Sequence, residues 1–520
     1  MGTYINPGND GFKNILNSDY IDKTGIITQI NKTLNSSRKL TCITRPRRFG
    51  KSFAEKTLCA YYDCTCDSAA LFEGLEATSS TDFNENLNKY NVLFVDITGF
   101  YQNKTDDIIK TIIDSLSVDL KKEFNFCNSL NSINDMLLAI VENTGKKIIF
   151  IIDEWDAIFR EEKDNVEAQK EYISLLRGFF KNGNITDKVF AGAYMTGILP
   201  IKKYGTQSAV SDFKEYTMLE PGPFARYFGF TDKEVRQICD NNEMNYNEMK
   251  KWYDGYYFTN FGEIYNPNSV MEATHLHKYK RYWANSETYE SLRKYISMNL
   301  DGLKDCIRDL IGGSSQKVNV SKFQNDMVNI STKDDVLTLL VHLGYLTYND
   351  EKEVVSIPNQ EIIGEFINAI EDGGWQNVIE AITASDKLLD ATLNMNASVV
   401  ADMIEKVHED NTSIVQYNDE NSLSCIITIA YYSARKKYTI IRELPSGKGF
   451  ADIAFIPLNI NDSPFIIELK WDKDADTAIN QIKAKRYNGA LSSYNEIIAA
   501  GINYNKKNKK HEAVIEKIKI

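Results

Sequence analysis

"TRPRRFGKS", residues 44–52, decides how the first part of this chain is read. It ends in Gly50-Lys51-Ser52, the close of a phosphate-binding loop, but Arg45 stands where such a loop opens with glycine. The apolar run "KLTCIT" (39–44) supplies a strand before it, and the chain from Ser52 onward supplies a helix. Backbone N–H groups at such a junction wrap phosphate oxygens, and the helix dipole adds partial positive charge. Lys51 is then expected to reach the β- and γ-phosphates of ATP, and the Ser52 hydroxyl to hold Mg²⁺. Gly50 supplies the left-handed dihedrals such a loop needs. Arg47 and Arg48 add charge that phosphates favour. The expected nucleotide-binding stretch is therefore Arg47, Arg48, Phe49, Gly50, Lys51 and Ser52.

Three further apolar runs follow: "NVLFVDIT" (91–98), "KKIIFIID" (146–153) and "KVFAGAYMTG" (188–197). They are rich in Val, Ile and Phe, nearly continuous, and spaced widely enough for helices between them. That is the pattern of a parallel sheet buried on both faces. The third run ends in Asp153-Glu154. Two carboxylates at the end of a buried strand are costly unless they have a partner or a task. Asp153 fits the ordering of a Mg²⁺ shell, and Glu154 the polarisation of an attacking water. Thr196, ending the fourth run, stands where a polar sensor of the γ-phosphate is expected.

The bulk composition sets limits on the rest. A chain of 520 residues, 43% hydrophobic and 25% charged, exceeds one ordinary core and reads as two to four folded domains. No apolar run is long enough to span a membrane, and the first residues lack the basic-then-apolar order of a signal peptide. Met1-Gly2 resembles a myristoylation start, but Asn6 stands where Ser or Thr is required. Cys59, Cys64 and Cys66 form the one cysteine cluster, with no second ligand pair to complete a zinc site. Free thiols in a reducing cytoplasm are the expectation. A net charge of −12 argues against a surface coated for nonspecific nucleic-acid binding, yet leaves room for a local basic patch such as "NKKNKK" (505–510). A solvated turn is the plainer reading of that patch. From about 225 to 400 the pattern is helical. Within it, 334–363 has the helix–hairpin–helix outline of a winged helix, which serves either DNA binding or plain packing. His342 within it, and the His275/His277 pair, read as ordinary histidines rather than ligands.

After about 400 the apolar run 421–434 has helix length, and "YTIIRELPSG" (438–447), "GFADIAFIPL" (449–458) and "SPFIIELKW" (463–471) form a β-meander. A Lys-rich helix and a strand at 496–504 follow. Strand alternation puts Glu468 and Lys470 on one face, with Asp452 on the preceding strand. Two carboxylates brought together repel unless a cation lies between them. Mg²⁺ suits such hard oxygen ligands, with the Leu469 carbonyl as a further donor. Lys470 would orient the attacking water or stabilise the charged transition state of phosphodiester hydrolysis. The plain alternative is a sheet with a surface Glu–Lys pair.

In order along the chain, "YIDKTGIITQI" (20–30), "TRPRRFGKS", "IIDEWD", "YFGFTDKEV" (227–235), "WYDGYYF" (252–258) and "YNPNSV" (265–270) resemble the AAA-ATPase-like family of bacterial proteins. The C-terminal region of that family is usually a PD-(D/E)xK nuclease-like domain, which Asp452 and Glu468-x-Lys470 resemble. The resemblance makes Arg45 a family trait and implies a P-loop fold of the additional-strand type. It also implies a supporting acid at Glu420, a supporting Gln481 in the helix after the core, and a groove position for Tyr487. The sequence departs from the pattern at Ala451, where proline precedes the acid, and at Phe450, where a basic residue is common. The expected architecture is a multidomain α/β chain. A P-loop ATPase-type parallel sheet occupies 1–225, a helical and winged-helix-like region 226–398, and a restriction-endonuclease-like α/β domain 399–520. The expected function is an ATP-binding ATPase coupled to a Mg²⁺-dependent nuclease acting on DNA ahead of RNA, with a protein partner or self-association open and no membrane. The alternative is a nucleotide-gated switch or scaffold that binds nucleic acid or a partner without cutting.

Overall fold

The computed structural model describes residues 2–102, 107–162, 165–201, 210, 212–283, 288–298, 300–311, 313–323, 330–372, 376–410, 423, 427, 430–431, 434, 437–446, 449–459, 462–484, 491 and 494–519. The chain divides into two compact units, one of residues 1–292 and 317–364, the other of 293–316 and 365–520.

The first unit is built on a parallel sheet of β1 (Leu40–Thr44), β2 (Asn91–Asp96), β3 (Ile148–Asp153), β4 (Phe190–Gly197) and β5 (Lys214–Tyr216), in the order β2-β3-β4-β1-β5. β1, β3 and β4 are buried at every position, which is why their sequences lack alternation. Helices Ile108–Glu123, Ile133–Thr144 and Val166–Phe180 present Ile112, Leu116, Met136, Leu137, Leu176 and Phe179 to one face. Helix α1 (Lys51–Tyr62) covers the other, with Phe12, Ile26 and Ile27 from helices nearer the N-terminus. β4 lies between β1 and β3 in the sheet. The loop after β1, the acids ending β3 and the polar end of β4 therefore meet at one edge, as the additional-strand expectation requires. The N-terminal segment is held by the Asp119 carboxylate, which accepts from the Thr3, Tyr4 and Ile5 N–H groups.

Farther along this unit, helix Lys333–Leu343, antiparallel strands Thr347–Asn349 and Val354–Ser356, and a helix starting at Gln360 follow in the expected order. Val336 through Leu343 are all buried, so that helix is a packing element with no open face for a groove. His275 lies on a helix and pairs with Asp19 at 2.8 Å.

The second unit is built on β6 (Tyr438–Ser446), β7 (Gly449–Pro457), β8 (Phe465–Trp471), β9 (Glu496–Asn505) and β10 (Lys510–Lys519), in that order. β6, β7 and β8 form the antiparallel meander. β9 runs parallel to β8 after a crossover through helix α2 (Ala475–Ala484), and β10 closes the edge antiparallel to β9. Ile479 and Ile482 of α2 pack on Ala454, Ile466, Ile497 and Ala499. The opposite face carries Ile453, Ile467 and Leu469 against Leu388, Val400 and Ile404 of helices Gln376–Leu393 and Ala397–Asp410. The apolar run 421–434 lies largely outside the described residues. Leu423, Ile427, Ala430, Tyr431 and Ala434 are described and buried, at the spacing of one helix face.

Candidate nucleotide and metal sites

The loop between β1 and α1 turns through Arg48 at φ 66° and Gly50 at φ 92°. The second opens the helix without a side chain. Lys51 is 6% exposed, and its Nζ donates to the Arg45 and Pro46 carbonyls at 3.1 Å each. Burial pushes its pKa down, while Glu154 and Asp153 pull it back up. The ammonium therefore bridges the loop's own carbonyls, beside the carboxylates a bound cation would need. Ser52 Oγ donates to Asp153 Oδ2 at 3.0 Å, and Thr196 Oγ1 to Asp153 Oδ1 at 2.7 Å. Three sequence-expected residues on three elements thus share one carboxylate.

Arg45 is fully buried. Its Nη1 donates to the Thr44 and Tyr216 carbonyls at 2.8 and 3.0 Å, and its guanidinium lies 5.4 and 5.5 Å from the Phe228 and Phe258 rings. Burial pushes its pKa down to about 9. The residue in place of the opening glycine is thus an internal anchor of the loop, held by two carbonyls and two aromatic faces. Phe49 is also wholly buried, edge-on to Tyr256 at 5.1 Å, so what it can offer a ligand is backbone. Arg48 donates to the Tyr282 carbonyl at 3.0 Å. Arg47 lies close enough to Glu154 to lower its pKa.

Glu154 has φ 49°, a left-handed conformation that costs a side-chain-bearing residue about 1 kcal/mol. Its Oε2 accepts from Thr98 Oγ1 at 3.0 Å and from Arg160 Nη2. Burial raises its pKa, but Arg160 and Lys51 outweigh burial and hold it below the usual carboxylate range. Arg160 also pairs with the buried Asp156 at 3.3 Å, and Asp156 accepts from Leu199 N–H just beyond β4. Arg160 and Glu55 are the two residues sequence reasoning missed. Glu55 is fully buried one helical turn after Lys51, and its Oε1 is hydrogen-bonded to Thr196 Oγ1. Burial and the neighbouring Asp153 push its pKa well up. Its Oε2 is buried with no hydrogen-bond partner among the described residues. An i,i+4 count from Lys51 would have placed it on the same helix face. The donor set fits Mg²⁺: a hydroxyl beside a carboxylate, with a second carboxyl oxygen left over for a metal-bound water.

In the second unit the β7–β8 register runs Ala454↔Ile466 and Ile453↔Ile467 and ends just before Asp452. Asp452 Oδ2 accepts from the Leu469 N–H at 2.7 Å, which locks one acid onto the strand of the other. Glu468 is 1% exposed and Lys470 5%. Lys470 Nζ lies 3.3 Å from Glu468 Oε1 and donates to the Leu469 carbonyl at 2.8 Å. The ammonium therefore touches two of the three oxygen groups expected to hold a cation. Two carboxylates and a carbonyl fit a hard divalent ion that keeps several waters. Among the described residues, no group of three or more His, Cys, Asp or Glu could hold a metal. α2 packs closely over this face because β9 carries Gly501 opposite Glu468, where a Cβ would collide with the Ala475 carbonyl. Asn503, opposite Lys470, clasps the loop after β8 through the Lys473 N–H and carbonyl at 3.1 and 3.0 Å. Gln481 is half-buried on α2, and no hydrogen bond among the described residues joins it to Asp452, Glu468 or Lys470. Glu420 and Tyr487 lie outside the described residues.

Residues 8–206 match the family described as predicted AAA-ATPase, and residues 418–514 match the PD-(D/E)XK nuclease superfamily. Among solved structures, the Aeropyrum pernix ORC2 protein, in ADPNP-ADP complexes, is 12% identical. The match covers 69% of this chain and 98% of that one at a TM-score of 0.29, below what defines a shared fold. No curated protein matches. The chain therefore carries an AAA-ATPase-like domain at 8–206 and, at its C-terminal end, a PD-(D/E)XK nuclease superfamily domain at 418–514.

Proposed function

We propose that the N-terminal domain binds and hydrolyses ATP with Mg²⁺, and that the C-terminal domain cleaves DNA phosphodiester bonds with a divalent ion. The observation that carries the second half is the hold of the Asp452 carboxylate on the Leu469 N–H, between the paired Glu468 and Lys470. A bound divalent ion would acidify a water and offset phosphate charge. The protein's own part is to hold Asp452 rigid through the Leu469 N–H, to keep Glu468 dry, and to aim the Lys470 ammonium at the developing negative charge. In the N-terminal domain Lys51 exchanges the Arg45 and Pro46 carbonyls for phosphate oxygens. Asp153 and Ser52 would hold the ion, with Thr196 fixing Asp153, and Glu154 would polarise water once released by Arg160.

One observation favours a second reading, a nucleotide-gated scaffold that binds nucleic acid or a partner without cutting. Lys470 already supplies a cation to Glu468 and Leu469. The seven described cysteines are all free, which fits a reducing cytoplasm. No described helix is long and apolar enough to cross a membrane. The deciding experiment incubates the purified chain with single- and double-stranded DNA and RNA, in Mg²⁺ or Mn²⁺, with and without ATP. Metal-dependent cutting of DNA is expected. Intact substrates throughout would leave the scaffold reading standing and remove the nuclease.

A further inference from the structure

The turn joining β9 to β10 carries Lys506, Lys507, Lys509 and Lys510, all exposed, and none of them is in an ion pair among the described residues. The turn is made by the two asparagines. Asn505 Oδ1 accepts from Lys507 N–H at 3.0 Å, and Asn508 Oδ1 accepts from Lys510 N–H at 3.1 Å. Lys509 has φ 57°, a conformation that suits glycine or asparagine better than lysine. Lysine there serves something other than the shape of the turn. In a chain of net charge −12, four lysines outside any ion pair of the described residues, against the one nearby carboxylate of Asp472, make this tip locally positive.

The tip is fixed to the strand that carries the acids. Asp472, immediately after β8, donates its N–H to the Tyr504 carbonyl at 2.8 Å and accepts from the Lys506 N–H at 2.7 Å. Its carboxylate is thereby occupied, as is that of Asp474, which accepts from the Thr477 N–H at 2.6 Å. Lys470 pairs with Asn503, three residues before Lys506. At about 3.4 Å per strand residue, the first cation of the tip stands about 10 Å along the sheet from the Lys470 register, roughly three base-pair steps of a duplex. Exposed Lys473 lies on the same path.

We propose that the 505–510 tip is a sequence-independent clamp on the DNA backbone that holds a duplex beside Asp452, Glu468 and Lys470. The proposal rests on reading the C-terminal domain as acting on nucleic acid. Its test is the salt dependence of binding of the full chain to a short fluorescent duplex, without divalent metal. The comparison is with a variant carrying Lys506→Gln, Lys507→Gln, Lys509→Gln and Lys510→Gln, checked for unchanged thermal unfolding. The expected result is a log–log salt slope lower by about 0.9 for each lysine that meets a phosphate, with equal affinity loss on unrelated sequences. A control that removes two lysines, Lys517→Gln and Lys519→Gln, exposed on β10 away from the tip, should leave the slope as it was. If the wild-type chain binds DNA and the four-lysine variant keeps its slope and affinity, the clamp is overturned even where cleavage occurs. If the slope falls but the wild-type chain cuts nothing, the clamp stands and the nuclease reading fails. If the variant loses binding to anionic vesicles and the wild-type chain does not bind duplex, the tip is a membrane contact and the proposal is wrong.

Discussion

His342 lies on the buried helix Lys333–Leu343, 2% exposed, its ring 5.7 Å from that of Phe323 and its Nδ1 without a hydrogen-bond partner among the described residues. Burial, with the charge of Arg45 added, pushes its pKa from 6.5 down to about 3. An unfolded chain takes up this proton near pH 6.5, but the folded one does not until near pH 3. The stability that rests on a neutral His342 is therefore complete above pH 6.5 and drains away as pH falls toward 3. Each pH unit inside that window costs about 1.4 kcal/mol, so at pH 5 the first unit should be about 2 kcal/mol weaker than at pH 8 through this group alone. The assay is urea unfolding at pH 8, 7, 6 and 5 of the wild-type chain and of His342→Leu, which fills similar space without a titrating ring. Other groups cancel in the difference. The gap between the two free energies should move by about 2 kcal/mol in favour of the leucine variant from pH 8 to pH 5. Parallel curves over that range would refute a neutral imidazole buried beside Arg45.

Three further outcomes follow from the sites. Mg²⁺·ATP at a hundredfold excess over its dissociation constant should stabilise the wild-type chain by about 2.7 kcal/mol in thermal unfolding, and Lys51→Ala should lose most of that gain. Glu55→Gln keeps the shape and the partner for Thr196, and should retain nucleotide affinity. Glu55→Ala empties a fully buried side-chain position beside Thr196 and Asp153 and should cost about 1–3 kcal/mol of stability with weaker nucleotide binding, and equal behaviour of the two variants in calorimetry would contradict the role given to Glu55. Gly501→Ala drives a methyl into the Ala475 carbonyl and Ala478, and should cost about 1–3 kcal/mol in denaturant unfolding while displacing the strand beside Glu468.

Much of this was legible because burial on both faces leaves a plain mark. β1 to β4 are continuous apolar runs, and the acids ending β3 stand out against them. Alternation along β8 put Glu468 and Lys470 on one face, and the Asp452 carboxylate is bonded to the Leu469 N–H between them. β5 escaped notice because it is three residues long and partly exposed, and β10 because a half-exposed edge strand rich in Lys and Glu resembles a solvated tail. The fates of Arg45 and Glu55 depend on neighbours far along the chain, Phe228 and Phe258 for one and Thr196 for the other. No local pattern encodes those contacts. The insertion of β4 between β1 and β3 followed from the family resemblance, since hydrophobic runs carry no strand order.

The most direct test of the central claim is Mg²⁺-dependent nicking of supercoiled DNA by the wild-type chain beside Glu468→Ala and Lys470→Ala, each at matched folded concentration. The account predicts nicks that need the metal, are abolished by Glu468→Ala, and fall at least a hundredfold, on the order expected for a lost charge-stabilising group, with Lys470→Ala. Nicking that survives Glu468→Ala would contradict it, and so would a wild-type chain that leaves the DNA intact.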